Sequence, residues 1–380
     1  MLGNRKLILD TFCEVYDLLL PWMDGDFFDF SKHKIVSGAV YLIGRAQMNH
    51  NRELIRELIE SDTIRVILSN PAEGSDTLKF HCDYVHRCGD LARNNRMLLI
   101  GGGDMDPEWP CLQYDSFLPK ILDYTENQQA ISQSYQIYQV ENKPYKFLFF
   151  NGRNRPHRKY LLEKFALEGL LDQALWTNLE NRTGSSGQLV LWHEGQDLML
   201  TPTKINTLPA CYEVDRYRQQ VHKMHDSGFI KNDLFSQEWG EIYIESAPYI
   251  DTYFSLVTET VFDYPYSFRT EKIWKPIAMA HPWIVVANAG YYRDMRNLGF
   301  KTFNGLIDEN FDQIEDSQTR IERIADVVND LCSQNLDSFL AAAQDICKYN
   351  QQHLEEMRVR VRKEFPERFF QFIKKYQFNE

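Results

Sequence analysis

Two short runs hold the residue types best suited to chemistry. The first is Asn151-Gly152-Arg153-Asn154-Arg155-Pro156-His157-Arg158, a loop rich in arginine that leads from an apolar run into a helix start. A guanidinium can fork two hydrogen bonds onto phosphate oxygens, so this composition describes a diphosphate cradle. Its ordinary reading is a basic surface loop. The second run is Thr270-Glu271-Lys272. Thr270 is a good N-cap, which puts Glu271 and Lys272 in the first helical turn, where free amides and the helix dipole favour an anion. Lysine is a poor choice there for stability alone, because a cation meets the positive end of the helix. An adjacent Glu and Lys in that place suit a ribose diol and a diphosphate respectively. A solvated helix start is the competing reading.

The elements that position these runs alternate between short apolar strands and amphipathic helices. Ile35 to Gly44 reads as a strand, and Asn49 to Ser61 as a helix with Leu54, Ile55, Leu58 and Ile59 on one face. A strand at Ile64 to Leu68, a helix capped by Asp76 and a strand at Met97 to Ile100 follow, the last stopped by Gly101-Gly102-Gly103. A helix from Ser116 to Tyr138 leads to the polar stretch Gln139 to Pro144, the best domain boundary. The pattern restarts with a strand at Lys146 to Phe150 and a helix at His157 to Leu171. Arg182 to Gly187 is a loop. Strands return at Glu241 to Glu245 and Tyr253 to Val257, then a helix at Glu271 to Ala280 and a strand at Trp283 to Ala287. Only helices follow after about residue 320, a region rich in charged and apolar residues at helical spacing. The expected fold is therefore α/β, two Rossmann-like doubly wound domains at 1–142 and 143–350 with a helical tail at 351–380.

The chain has 380 residues, enough for two domains of ordinary size, with 43% hydrophobic and 25% charged residues. A formal charge of −12 disfavours a general nucleic-acid binder but leaves room for a local basic groove. The basic, aromatic run from Met357 to Lys375 reads either as such a patch or as a helix packing Phe365, Phe369, Phe370 and Ile373 on the body. Seven scattered cysteines without Cys-x-x-Cys read as reduced thiols. No signal-peptide pattern and no apolar run long enough to span a bilayer is seen, so a cytoplasmic protein is expected.

The run Phe254-Ser255-Leu256-Val257-Thr258-Glu259-Thr260, followed by Thr270-Glu271-Lys272-Ile273-Trp274, resembles the donor-site signature of GT-B glycosyltransferases. It is most similar to the fucosyltransferases of glycosyltransferase family 10, which carry Phe-Glu-Asn-Ser and then Tyr-Ile-Thr-Glu-Lys at a helix head. Glu259, Glu271 and Lys272 match that pattern, whereas Thr258 stands for its phenylalanine and Thr260 for its asparagine. Phe147 to Arg158 is similar to the family's strand ending in Ser-Asn with an arginine before the next helix. The resemblance covers roughly residues 146–175 and 250–305. It implies a nucleotide-sugar donor held by Asn151, Arg153, Arg155, Arg158, Thr258, Glu259, Thr270, Glu271 and Lys272, with the acceptor on the first domain and the tail helix crossing back to it. It also implies inversion at the sugar carbon. The acceptor is then a glycan or lipid-linked saccharide, or, in a rival reading, a hydroxymethylated base in DNA as for phage DNA-modifying transferases. A nucleotide-sugar-binding protein without catalysis is a further alternative.

An inverting transferase needs a base for the acceptor proton. Glu73, in Ser69-Asn70-Pro71-Ala72-Glu73-Gly74, and Asp104 with Asp106, after the glycine triplet, follow expected strands in the first domain. The family's glutamate near a proline after an early strand favours Glu73, although each carboxylate also reads as a loop or cap residue. His81-Cys82 with His86, and His222 with His225-Asp226, lack a closed ligand set for zinc. Asp104-Met105-Asp106 has Asp-x-Asp spacing without flanking strands. With Arg153, Arg155 and Lys272 to neutralise a diphosphate, no metal and no cofactor is expected. Neither a P-loop nor a Gly-x-Gly-x-x-Gly pattern is present.

Overall fold

Apolar runs buried on both faces build the first sheet. The computed structural model describes residues 6–10, 13–22, 27–28, 35–44, 48, 51–74, 90–91, 96–103, 109–151, 155–178 and 243–376. In the first unit these give β1 (Leu7–Asp10), α1 (Tyr16–Leu19), β2 (Phe27–Phe28), β3 (Val40–Gly44), α2 (Arg52–Glu60), β4 (Arg65–Gly74), β5 (Met97–Gly102) and β6 (Cys111–Gln113). The strands pair in parallel in the order β2-β1-β3-β4-β5-β6. Side chains alternate between two cores, as the period of a strand requires. Ile8, Tyr41, Ile43, Val66 and Leu68 face Ile55, Leu58 and Ile59 of α2. Leu7, Leu9, Val40, Leu42, Ile67 and Leu98 join a core with Phe365, Phe369, Phe372 and Ile373.

The second unit contains α3 (Phe117–Asp123), α4 (Thr125–Ile131), β7 (Tyr145–Asn151), α5 (Pro156–Leu167), β8 (Ala174–Asn178) and α6 (Ala247–Ile250). It continues through β9 (Thr252–Thr258), α7 (Glu271–Ala278), β10 (Trp283–Val286), α8 (Tyr291–Asn297) and α9 (Ser317–Cys332) into α10 (Leu336–Lys375), whose residues from Glu356 on belong to the first unit. Its sheet is also parallel, in the order β10-β9-β7-β8. Phe147 and Phe149 pack edge-on against Phe165 of α5, and Phe147 stacks on Phe254 of β9. Two parallel sheets flanked by helices make a mixed α/β architecture compatible with a Rossmann-like fold. Among the described residues, no helix is long and apolar enough to cross a membrane.

The structure departs from the sequence expectations in several places. The units are Met1–Ser116 with Glu356–Glu380, and Phe117–Glu355, so the division precedes the polar stretch at 139–144. The reason is hydrogen bonding that ties 117–143 to the second unit. Asn127 Oδ1 accepts from Ile244 N at 2.7 Å, the Tyr138 hydroxyl donates to Ala280 O at 2.6 Å, and Lys143 donates to Ile250 O. The expected long helix from Ser116 breaks at Tyr124, whose ψ of 117° is extended. The strand expected at Ile35 to Gly44 begins only at Val40, after a turn at Gly38 with φ 75°, and β1 and β2 precede it. Tyr243 to Glu245 form no strand. The Asp76 cap, the 182–187 loop and both histidine groups lie outside the described residues.

Candidate functional site

A parallel sheet opens a ligand crevice where successive crossovers leave in opposite directions. In the second unit β7 continues outward to β8 and β9 outward to β10, so that point lies between β7 and β9. The two strands end at Asn151 and Thr258. The Thr258 hydroxyl donates to Asn151 Oδ1 at 2.9 Å and bridges them. The Asn151 backbone is fixed from the other side, since its N–H donates to Thr177 Oγ1 at 3.0 Å and its carbonyl accepts from that hydroxyl at 3.1 Å. Asn151 is 2% exposed, yet its Nδ2 has no hydrogen-bond partner among the described residues. A buried donor without an acceptor is uncommon, and this one sits at the switch point.

Glu259, the residue after Thr258, is fully buried and organises the loop that leads to α7. Its carboxylate accepts from Thr260 N (3.1 Å), Thr270 N (3.1 Å), the Thr270 hydroxyl (2.6 Å) and the Tyr291 hydroxyl (3.1 Å). Burial raises its pKa above the ordinary range, against the pull of Lys272 and the Thr270 hydrogen bonds. Its backbone carbonyl accepts from His157 Nε2 at 3.1 Å and Arg158 Nη2 at 3.0 Å, and the same Arg158 nitrogen donates to Thr258 O at 3.0 Å. His157 and Arg158, in the first turn of α5, therefore hold the end of β9. Arg155 precedes that helix and is 4% exposed.

Thr270 caps α7, its Oγ1 accepting from Lys272 N at 3.4 Å. Lys272 Nζ donates to Thr260 Oγ1 (3.1 Å), Thr270 Oγ1 (3.3 Å) and Glu271 Oε1 (2.5 Å). The Lys272 side chain keeps 27% of its surface exposed, against 5% for Glu271. Burial alone would raise the Glu271 carboxyl, but Lys272, Lys275 and the direct hydrogen bond together hold it below the usual glutamate range. Asn151, Arg158, Thr258, Glu259, Thr270, Glu271 and Lys272 thus share one network, in which Glu259 and Arg158 position the chain, Asn151 Nδ2 is left without an acceptor among the described residues, and Lys272 keeps part of its side chain exposed. The pair can take an anion, with Lys272 exchanging its internal oxygens for those of the ligand.

Two contributors have no clear mark in the sequence. Arg320, 2% exposed, donates to Ala287 O (3.1 Å), Ile314 O (2.7 Å), Glu315 O (2.9 Å) and Phe262 O (3.0 Å), pinning three loops at this edge. Its spacing in α9 is that of any solvated helical arginine. Asn288 follows β10 and is buried, with only its place after an apolar run to signal it.

In the first unit Glu73 lies in the β4 segment where pairing with β5 shifts register between Asn70 and Gly74, and it is half-buried. Arg153, Asp104 and Asp106 lie outside the described residues. The sheet order places this unit's switch point between β1 and β3, where Asp10 Oδ2 accepts from Gly44 N at 2.9 Å. Asp10 is fully buried and was legible only as the polar end of Leu7-Ile8-Leu9. Among the described residues, no group of three or more His, Cys, Asp or Glu is placed to hold a metal.

No protein-family model, curated protein or solved structure matches the chain. What the chain does is read from its fold and its site.

Proposed function

We propose that the chain is a glycosyltransferase that moves a sugar from a nucleotide-sugar donor to an acceptor hydroxyl. The observation that carries this reading is the Asn151 Nδ2 donor at the β7/β9 switch point, without an acceptor among the described residues and beside the network that ends in Lys272. Both groups offer donors to an anion, and a diphosphate leaving group is an anion whose charge grows as the sugar departs. The acceptor oxygen attacks the anomeric carbon, the bond from that carbon to the diphosphate oxygen breaks, and its electron pair stays on the diphosphate. Asn151 and Lys272 stabilise that charge, Glu271 takes the ribose hydroxyls, and Glu73 accepts the proton released by the acceptor. The acceptor class is a glycan or lipid-linked saccharide. Fixed cations do the work a metal would otherwise do.

Thermal unfolding with UDP-, GDP- and CDP-sugars tests the reading. Ligand at about a hundred times its dissociation constant stabilises the folded state by roughly 2.7 kcal/mol. For units of this size that is a melting shift of about 5–10 °C. Absence of any shift with all three nucleotide classes overturns it.

A further inference from the structure

Asn288 presents a buried acceptor that the described residues leave unpaired. It is 3% exposed, and its Nδ2 donates to Ala289 O at 2.8 Å and to Ser267 Oγ at 3.3 Å. A backbone carbonyl only accepts, and Ser267 gives its own proton to Asp294 Oδ2 at 2.7 Å. The amide nitrogen must therefore face this pair, and the oxygen faces away from it. That oxygen has no hydrogen-bond partner among the described residues. Buried polar atoms are nearly always paired, so an exception beside a ligand crevice points to a ligand as its partner.

Position gives the partner its chemistry. β10 neighbours β9 on the side away from β7, and Glu259 N donates to Val286 O at 3.1 Å, which keeps the two strand ends level. Asn151 is level with Thr258 and Val286, and Asn288 follows two residues on, so the two asparagines lie at the same end of the sheet, two strand spacings or about 10 Å apart across it. One offers an N–H and the other an acceptor. The nearby start of α8 takes no anion, because Asp312 already accepts from Tyr292 N at 2.9 Å and Arg293 N at 3.0 Å. A ligand that satisfies both asparagines has an anionic end and, some distance along, an N–H or O–H donor. Inorganic diphosphate lacks that donor, whereas a nucleoside diphosphate carries it on the base and on the ribose.

We propose that Asn288 is a specificity-determining residue that accepts a hydrogen bond from the nucleoside part of the ligand while Asn151 and Lys272 hold its phosphates. This rests on the reading of the second unit as a nucleotide site. Titration calorimetry of the full chain with UDP, GDP, CDP and inorganic pyrophosphate tests it in wild type, Asn288→Leu and Asn288→Asp. Asn288→Leu should weaken the best nucleoside diphosphate roughly 5- to 100-fold, as expected for a buried hydrogen bond lost, and leave pyrophosphate unchanged. Asn288→Asp, which keeps an acceptor oxygen, should retain more of the affinity than Asn288→Leu. On wild type alone, the base-N-methylated and the 2′,3′-dideoxy forms of that nucleotide separate the two sources of the donor, and one of them must lose a comparable factor. Equal nucleotide affinity in wild type and Asn288→Leu overturns the proposal and leaves the nucleotide site standing. So does full affinity for both altered nucleotides, an outcome that needs no variant to fold. Failure of every nucleotide to bind wild type overturns the site reading as well.

Discussion

The Thr258 hydroxyl reaches Asn151 Oδ1 at 2.9 Å, joining the ends of β9 and β7 where the two crossovers of the second unit part. One bond thereby fixes the orientation of the amide and aims its unpaired Nδ2. Thr258→Val keeps the shape and removes the bond, leaving a buried Asn151 oxygen unsatisfied at a cost of about 1–3 kcal/mol of stability. Asn151→Leu removes the unpaired donor but strands the buried Thr258 hydroxyl without its acceptor, so it should cost a similar amount of stability, about 1–3 kcal/mol, and should weaken nucleoside diphosphate binding more. Chemical denaturation and calorimetry on the two variants check that equal stability cost and unequal loss of binding.

Lys272 and Glu271 should separate by ligand rather than by stability. Lys272→Met removes a cation that faces the phosphates and should weaken nucleoside diphosphates and pyrophosphate alike, by roughly tenfold or more for a charge-assisted hydrogen bond. Glu271→Gln should spare pyrophosphate and weaken only ligands with ribose hydroxyls. Transfer and donor binding should both survive excess chelator. Activity lost to chelator and restored by manganese would make Asp104 and Asp106 candidate metal ligands.

How much of this was legible depends on what kind of signal each residue carries. Thr270, Glu271 and Lys272 announce themselves because a cap and a misplaced cation are local features, and the structure places them at a helix head. The parallel sheets were legible from apolar runs, but β2 and β6, of two and three residues, give too little periodicity, and β1 and β8 lack the adjoining glycine or proline that bounds β3 and β10. Proline and polar residues at 139–144 mark a loop, yet say nothing about which unit the preceding helices join. That was decided by Asn127 and Tyr138, whose partners lie more than a hundred residues away in sequence. Arg320 reaches the carbonyls of Ala287 and Phe262, and Asn288 the hydroxyl of Ser267, all in other loops of the chain, so no local pattern distinguishes them.

His281 makes the second unit sensitive to acid. It is fully buried, its Nε2 donates to Thr252 O at 3.0 Å, and its Nδ1 accepts from Ser255 Oγ at 2.9 Å, the neutral tautomer. Burial, assisted by nearby Lys143, pushes its pKa down to about 3. An unfolded histidine titrates near 6.5, so between about 6.5 and 3 the unfolded chain takes up a proton that the folded chain refuses. The stabilisation is complete above about pH 6.5 and falls by up to roughly 1.4 kcal/mol per pH unit below it. Urea unfolding of wild type and His281→Gln from pH 8 to 4.5 should show a shallower acid slope for the variant, by about one proton. Parallel slopes would place the acid sensitivity in other groups.

Glu73 is proposed to take the acceptor proton, and its place in the fold makes the test clean. It sits where β4 departs from regular pairing with β5, half-buried and near the end of a parallel strand rather than inside the apolar core. Glu73→Gln keeps the side-chain shape and removes the basic oxygen. A positioned general base contributes roughly 10²–10⁴-fold, so turnover should fall by that factor. Donor affinity should stay at the wild-type value, because Asn151, Thr258 and Lys272 belong to the second unit. Melting should also hold within a degree or two, as for a substitution outside the core worth about 0.5 kcal/mol or less. Asp10→Asn provides the contrast: it alters a buried carboxylate that holds Gly44 N, so it should cost stability whatever it does to rate. The decisive comparison is with Asp104→Asn combined with Asp106→Asn. If Glu73→Gln retains most of its transfer rate while that double variant loses it, the proton goes to the loop after the glycine triplet instead.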